Sequence, residues 1–286
     1  MKLIHEVFDW SGIPVLAALF IFLFIAENKF ELPKRVQRKK KRFMINYLVS
    51  IPSFVLLRFL LLPVMVWLAI QNETLHTGLN YWYNLPYWLE ATIAFLLLDY
   101  TNYLWHILNH KLPFLWRFHI VHHTDLDLDV TTATRFHYGE LVGSVFFRGA
   151  FVFLSGASPM LVLTYEIVFE AATQFHHSNL KLPLSAERII NKILVTPRMH
   201  GIHHSIIKNE TDSNYAVIFS FWDRLNKTIQ LNVHQKDIIT GAPSYMNAQE
   251  LTAGFLLAMP FKKIKEPPVI AGPEHEKIIS QTTMVE

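Results

Sequence analysis

The sequence predicts an all-α, polytopic membrane protein with about four to five transmembrane helices and a helical cap on the cytoplasmic side. Of its 286 residues, 51% are hydrophobic and 17% are charged, whereas a soluble domain usually carries about 25% charged residues. Several apolar runs are long enough to cross a bilayer. No alternating pair of runs is long enough to indicate a β-sheet. Lipid is therefore the predicted solvent for much of the chain.

The first apolar segment runs from Trp10 to Ala26 without a charged residue, which is close to the minimum length that crosses a bilayer core. A signal peptide is the alternative, but the segment is followed by ENKFELPKR and not by a small-residue cleavage site, so we predict an uncleaved anchor. The second segment, residues 43–72, contains two prolines and is either one tilted helix or two shorter ones. Residues 1–89 are the predicted transmembrane anchor region.

A third segment runs from about Tyr87 to Trp105, and a pair of segments follows between residues 141 and 175. The pair is broken at SGASP, which is a turn signal. These segments belong to a predicted second region, residues 90–235. Residues 236–286 form a C-terminal segment whose proline-rich, charged tail is predicted to be disordered.

The basic run KRVQRKKKR, residues 34–42, indicates the orientation. Positive loops remain in the cytoplasm, so the alternation of segments brings the ends of the third and last segments to the cytoplasmic face. The net charge of +3 is small, and the run lies between two apolar stretches, so no nucleic-acid partner is predicted. Every dense histidine cluster then lies on the cytoplasmic side.

Those clusters are the candidate site. The motifs WHILNH, RFHIVHH and RMHGIHH place imidazoles at helical spacings of three and four residues, and hence on one helical face. Neutral imidazole is the commonest ligand of first-row transition metals, and the absence of cysteine excludes disulfides and thiolate sites. Eight ligands are more than one ion uses, so two metal ions are predicted. The candidate ligands are His106, His110, His119, His122, His123, His200, His203 and His204.

A pH-sensing patch and an adventitious metal-binding strip are the alternatives to a dedicated metal centre. The second triplet repeats the first with the same leading arginine, at Arg117 and Arg198. This recurrence favours a metal site.

The remaining candidates lie between the motifs. His137 is a ligand, an outer hydrogen-bond donor or a structural group. His176 and His177 point about 100° apart on a helix, so we predict His177 as a ligand and His176 as an outer group. Nearby acids are predicted to accept hydrogen bonds from imidazole N–H groups and so to fix their tautomers. They are Asp99, which lies inside a membrane segment, Asp125, Asp127 and Glu140.

In these motifs the chain resembles the fatty acid hydroxylase/sterol desaturase superfamily of membrane-bound, non-haem di-iron oxygenases. TATRFHYGE, QFHHSN and FWDRLNKT support the resemblance, which covers roughly residues 90–230. It implies that histidines of the three motifs, with His137 and His177, bind two iron ions at the cytoplasmic ends of the transmembrane helices. It also implies that the iron pair activates O2 to attack an unactivated C–H bond of a lipid, and that residues 90–235 are the catalytic domain.

The expected reaction is hydroxylation of a fatty acyl, sterol or related lipid held in an apolar slot; desaturation at the same site is the alternative. The chain has no haem domain, dinucleotide fingerprint or cysteine cluster, so electrons must come from a cytochrome b5-like protein, a ferredoxin or a reductase. The basic run is a candidate docking surface. The expected location is the bacterial inner membrane or the endoplasmic reticulum. Rival functions are a histidine-rich metal transporter and a b-type haem carrier, which need ionisable groups or facing histidines within the membrane.

Overall fold

The fold was analysed in a computed structural model that describes residues 1–83 and 85–265. This part of the chain is helical and contains isolated β-bridges but no strand, as the sequence predicts. The tail for which we predict disorder begins after Pro260, and its residues 266–286 lie outside the described residues. The α-helices are α1 (Ile13–Lys29), α2 (Lys39–Leu56), α3 (Leu62–Leu75), α4 (Leu79–Trp82), α5 (Tyr87–Lys111), α6 (Pro113–His123), α7 (Tyr138–Ser155), α8 (Pro159–His177), α9 (Leu184–Ile190), α10 (Pro197–His203), α11 (Lys208–Thr211), α12 (Phe221–Leu225) and α13 (Ala253–Ala258).

Within the described residues, two helices are long and apolar enough to cross a membrane: Ile4–Lys29 and Lys39–Trp82. The first consists of a π-helical turn, Ile4–Gly12, that continues into α1. In the second, a π-helical turn at Leu57–Leu61 joins α2 to α3 without a loop. Residues 43–72 therefore form one helical run. The π turn lies between the two prolines, where missing N–H groups interrupt the regular hydrogen bonding.

A bundle of α3, α5, α7 and α8 forms the main core, with α1 packed against α8. Leu62 and Met65 of α3 meet Val152 of α7 and Leu163 of α8, and all four side chains are buried. The predicted break between the last two segments is confirmed. Gly156, at φ 72°, ends α7, and Pro159 begins α8, because glycine tolerates the left-handed conformation and proline the first helical position.

Helices α6, α10 and α13, with the loops around them, form a cap at the end of the bundle where α5 and α8 finish. Here α13 packs against α2 through a second cluster that includes Val49 and Leu256. Buried Arg42 of α2 forms ion pairs with Asp125, at 3.2 Å, and Asp129 of the loop after α6. The N-terminal helices are thus fastened to the cap by charge as well as by apolar packing.

Part of the basic run is consequently not a free surface. Arg35 and Lys39 each bind the buried carboxylate of Glu27, with N···O distances of 3.1 Å, and Arg42 is 1% exposed. Only the remaining basic side chains of residues 34–42, among them exposed Lys40 and Lys41, are available for the docking role predicted from sequence.

Candidate metal centre

Four helix ends bring the histidines together. His106 and His110 lie in the last turns of α5. The extended residue Leu112 and then Pro113 fold α6 back against α5, which brings the first triplet to the α5 pair. Helix α8 contributes His177 at its last residue. Helix α10 carries His200 and His203, with His204 directly after its last residue, and it begins after a Thr196 cap whose hydroxyl accepts from the Met199 N–H.

Nine imidazoles form two groups. Within each group, one nitrogen from every ring lies within 4.8 Å of the others. The first group is His106, His110, His119, His123 and His203, and the second is His122, His177, His200 and His204.

Each triplet is divided between the two groups. The i,i+4 pair of α6 (His119 and His123) joins the first group, and that of α10 (His200 and His204) joins the second. The third member of each triplet, His122 or His203, crosses to the other group. The rings of His123 and His204 stack at 4.5 Å between the groups. Neither triplet on its own therefore surrounds a single ion.

The donor set fits two transition-metal ions. In the first group the Nε2 atoms of His106, His110, His119 and His203, and both ring nitrogens of His123, are buried without a hydrogen-bond partner. In the second group, Nε2 of His177 lies 3.0 Å from Nε2 of both His122 and His200. Imidazole nitrogens at right angles around a metal, each about 2.1 Å from it, lie about 3 Å apart.

Hydrogen bonds orient the rings for this role. The Nδ1–H groups of His106, His177 and His203 donate to the backbone carbonyls of Tyr215, Thr173 and Ser213, at 2.7–2.8 Å. A neutral imidazole with its proton on Nδ1 has a lone pair on Nε2, and in these three rings that nitrogen points into its group.

Burial keeps the cap histidines neutral. Removal from water, and then the neighbouring imidazoles, lower the pKa of His122, His123, His200 and His204 well below the ordinary value. Neutral rings retain the lone pairs that a metal requires.

A short irregular segment supplies several of the acceptors. Alternate carbonyls of Ser213, Tyr215 and Val217 accept from Nδ1 of His203, His106 and His176. We call residues 213–217 the acceptor segment. Sequence reasoning missed it, because backbone carbonyls leave no mark on residue identity.

Two buried acids hold this region. Asp223 accepts from the N–H groups of Tyr215 and Ala216, at 2.9 and 3.0 Å. Asp99 accepts from the Phe219 N–H, at 3.3 Å, and from the Trp222 indole N–H, at 2.8 Å. The expectation that Asp99 accepts from an imidazole is not met among the described contacts, because two helical turns separate it from His106 by about 10 Å along the axis.

The other predicted acids differ in position. The Glu140 carboxylate accepts from Nδ1 of His119 and from the Asn109 amide, both at 3.1 Å. Asp125 instead accepts from Arg42, Asn46 and Thr132, and Asp127 accepts from the N–H groups of Val36 and Gln37. In the described structure these two aspartates order the loop after α6 and do not contact an imidazole. An acid that the sequence did not indicate, Asp212, lies 3.8 Å from Nδ1 of His110.

His137 lies outside both groups. It caps the N-terminus of α7: its Nδ1 accepts from the Gly139 N–H at 3.0 Å, and its Nε2 donates to the Leu257 carbonyl at 3.1 Å. Neither ring nitrogen is free for a metal, so the expectation that His137 is a ligand is corrected. A signal was present in the sequence, since HYGE places a polar cap residue three positions before a glutamate. His176 also lies outside the groups, beside His200, with ring centroids 4.2 Å apart.

One cavity touches both groups. It is lined by His106 and His119 of the first group and by His122, His177 and His200 of the second. A second cavity of about 100 Å³ shares Asn102, Trp105, Phe136, Glu140 and Phe169 with it and extends to Phe54 and Leu57. Phe54 is 46% exposed. We call the two together the substrate cavity. It leads from the histidines to the outer surface of α2. The sequence led us to expect an apolar slot, but Arg148 and Glu170 also line this cavity.

Comparison with known proteins gives consistent similarities. Residues 91–228 match the family model described as fatty acid hydroxylase. Cholesterol 25-hydroxylase of Rattus norvegicus is 29% identical over 164 residues, which are 56% of this chain and 53% of that protein. Ornithine lipid hydroxylase of Rhizobium tropici is 25% identical over 198 residues, 68% of this chain and 57% of that protein. Alkylglycerol monooxygenase of Danio rerio is 33% identical over 134 residues, 46% of this chain and 29% of that protein. The chain thus spans about half the length of the first curated relatives it matches, and no solved structure matches it significantly.

Proposed function

We propose that the chain belongs to the fatty acid hydroxylase family, whose model matches residues 91–228, and that it is an integral-membrane di-iron oxygenase that hydroxylates an unactivated C–H bond of a lipid. O2 is the proposed co-substrate. The observation that carries the proposal is the convergence of nine buried histidines into two groups beside one cavity. The curated relatives are named as hydroxylases and monooxygenases of lipids. Their names therefore do not favour the alternatives of a desaturase or a metal transporter.

We assign one iron ion to each group. His106, His110, His119, His123 and His203 would hold the first ion, and His122, His177, His200 and His204 the second. His137 is left out, because both of its ring nitrogens are engaged. Imidazole suits iron but also zinc, copper and nickel, so the choice of iron rests on the family. Two iron ions bound there, supplied with two electrons by a separate donor protein, would provide the redox chemistry that inserts one atom of O2 into a C–H bond, while the second atom takes up two protons and leaves as water.

The chain's own residues prepare the centre. The acceptor segment, the Thr173 carbonyl and Glu140 fix the orientation of four ligand rings, so little reorganisation is needed when metal binds. Glu140 adds a negative charge that offsets part of the positive charge of two cations. Trp105 and Phe136 line the substrate cavity beside the histidines and keep bulk water away from the reacting carbon.

The membrane orientation is part of the proposal. We propose that α5, α7 and α8 cross the bilayer with the two apolar N-terminal helices, and that the cap with its histidines faces the cytoplasm. Outward apolar side chains on α1, such as Phe22 and Ile25 at 62% exposed, are suited to lipid contact. A lipid would reach the histidines laterally, past Phe54, without leaving the membrane. The electron donor would be a separate protein that docks on the cap.

Metal analysis and lipid analysis together test the proposal. The purified protein is expected to contain two iron ions per chain, and cells that express it are expected to contain a hydroxylated lipid absent from control cells. His203→Ala should abolish the product and lower the iron content. His234→Ala, a change at an exposed histidine outside both groups, should alter neither. One or no bound metal per chain, or an unchanged lipid product in His203→Ala, would overturn the proposal.

A further inference from the structure

The substrate cavity contains charged groups that the metal centre does not use. Arg148 of α7 is 6% exposed and lines the outer part of the cavity together with Glu170 of α8. The Arg148 guanidinium also lies over the Phe169 ring, 5.3 Å from its centroid. A charge buried in a helical bundle is costly to maintain unless it is paired or has a function.

The ion pair between Arg148 and Glu166 leaves one carboxylate oxygen without a partner. Nη2 of Arg148 donates to Oε1 of Glu166, which is 3% exposed. The second carboxylate oxygen of Glu166 is buried without a hydrogen-bond partner, and Glu166 lines a small adjoining cavity together with Asn102 and Arg148. Leaving a buried acceptor without a donor destabilises the protein, so this oxygen can accept from a ligand.

Glu170 adds a second unused carboxylate. No hydrogen bond or ion pair of its carboxylate is found within the described residues, although it faces the substrate cavity. Glu166, Glu170, Thr173 and His177 follow one another at helical spacings of four, three and four, so they form one stripe along α8. Glu170 lies two helical turns, about 10 Å, from the metal-group residue His177. The Thr173 hydroxyl between them is also buried without a hydrogen-bond partner.

We propose that Arg148, Glu166 and Glu170 form a polar subsite that binds a hydrogen-bond donor, a hydroxyl or an ammonium group, on the lipid substrate. One guanidinium, already paired with Glu166, shares this part of the cavity with two carboxyl groups, so the subsite has an excess of acceptor oxygens. It therefore favours a lipid alcohol or amine over a plain hydrocarbon and disfavours a free carboxylic acid. This inference rests on the proposed function, since it assigns the substrate class of the same cavity.

Four probes with the same C16 chain test the subsite: hexadecan-1-ol, hexadecylamine, hexadecane and hexadecanoic acid. Binding is measured as the probe concentration that gives half of the maximal rise in Tm of the full-length protein, without O2 or electron donor, so that no turnover is needed. The wild type is expected to bind the alcohol and the amine roughly tenfold or more tightly than hexadecane, because a hydrogen bond to a charged group contributes about 1.5–3 kcal/mol. Hexadecanoic acid should bind no better than hexadecane.

The variant Glu170→Gln separates the subsite from general stability effects. It should lose roughly tenfold in affinity for hexadecylamine and gain affinity for hexadecanoic acid. A misfolded variant could not produce that gain. The matched control Glu90→Gln changes an acid in the first turn of α5 that lines none of the cavities described above, and it should bind all four probes as the wild type does.

Equal binding of all four probes by the wild type, or wild-type preferences in Glu170→Gln, would overturn the subsite. The two proposals can fail separately. Preferential binding of the alcohol and the amine without two iron ions per chain would leave the subsite standing and remove the oxygenase. Hydroxylation of a lipid by a protein that binds all four probes alike would do the reverse.

Discussion

At the scale of single residues, a substitution of Glu140 tests how strongly a carboxylate that contacts an imidazole supports iron binding by that imidazole. Its carboxylate accepts from Nδ1 of His119 in the first group. Glu140→Gln preserves the shape but removes the charge, so we expect iron in the first group to be bound roughly 10- to 100-fold more weakly. Titration with an iron chelator measures this loss, and exposed Glu73→Gln is the control. An unchanged chelator midpoint would show that Glu140 does not support that ion.

A pair of histidine variants tests the ligand set. Asn can replace His137 as an N-cap, because its side-chain oxygen can accept from the Gly139 N–H. His137→Asn should therefore retain two iron ions per chain with less than about 1 kcal/mol of lost stability. His177→Asn should lose the second ion, since His177 belongs to the second group. Metal analysis of both proteins decides the matter, and loss of iron from His137→Asn would return it to the ligand set.

At the scale of elements, the acceptor segment orients histidine rings through its backbone carbonyls. Its position depends on Asp223, which accepts from two of its N–H groups. Asp223→Ala leaves those buried donors without a partner, at about 1–3 kcal/mol each, and lets the carbonyls shift away from His106 and His203. We expect lower iron affinity in the first group although no ligand is changed. Titration with an iron chelator measures this affinity, and exposed Asp237→Ala is the control. Equal chelator midpoints for the two variants would contradict the role of Asp223 in supporting the acceptor segment.

Individual helices were predicted well where the signal is local. The end of α7, the start of α8 and the helical spacing of each histidine motif follow from glycine, proline and a 3.6-residue period. The sequence did not decide whether residues 43–72 form one helix or two. A proline either bends a helix or ends it, depending on whether neighbouring turns compensate for its missing N–H. Here the helix continues through both prolines, with a π turn between them.

At the scale of the whole molecule, the buried ion pairs of Arg42 join the N-terminal helices to the cap. Arg42→Ala would remove the cation that pairs with the buried carboxylates of Asp125 and Asp129. Removal of one partner of a buried ion pair costs about 3–5 kcal/mol. The midpoint of thermal unfolding should fall strongly and iron should be lost more readily, because the same loop follows His122 and His123. Exposed Lys41→Ala is the matched control. Equal midpoints for the two variants would contradict this linkage.

The sequence by itself determined the helical class and the histidine motifs, together with the match of residues 91–228 to the fatty acid hydroxylase family model, because helix periodicity and motif spacing are properties of neighbouring residues. Only the tertiary structure decided how the motifs are combined. It divided each triplet between two groups, included His177 and excluded His137, and turned Asp99 and Asp125 towards backbone and side-chain partners other than imidazole. It also placed Arg148, Glu166 and Glu170 along the substrate cavity. These outcomes depend on contacts between helices far apart in the chain, and no local pattern encodes the directions in which those helices finally pack.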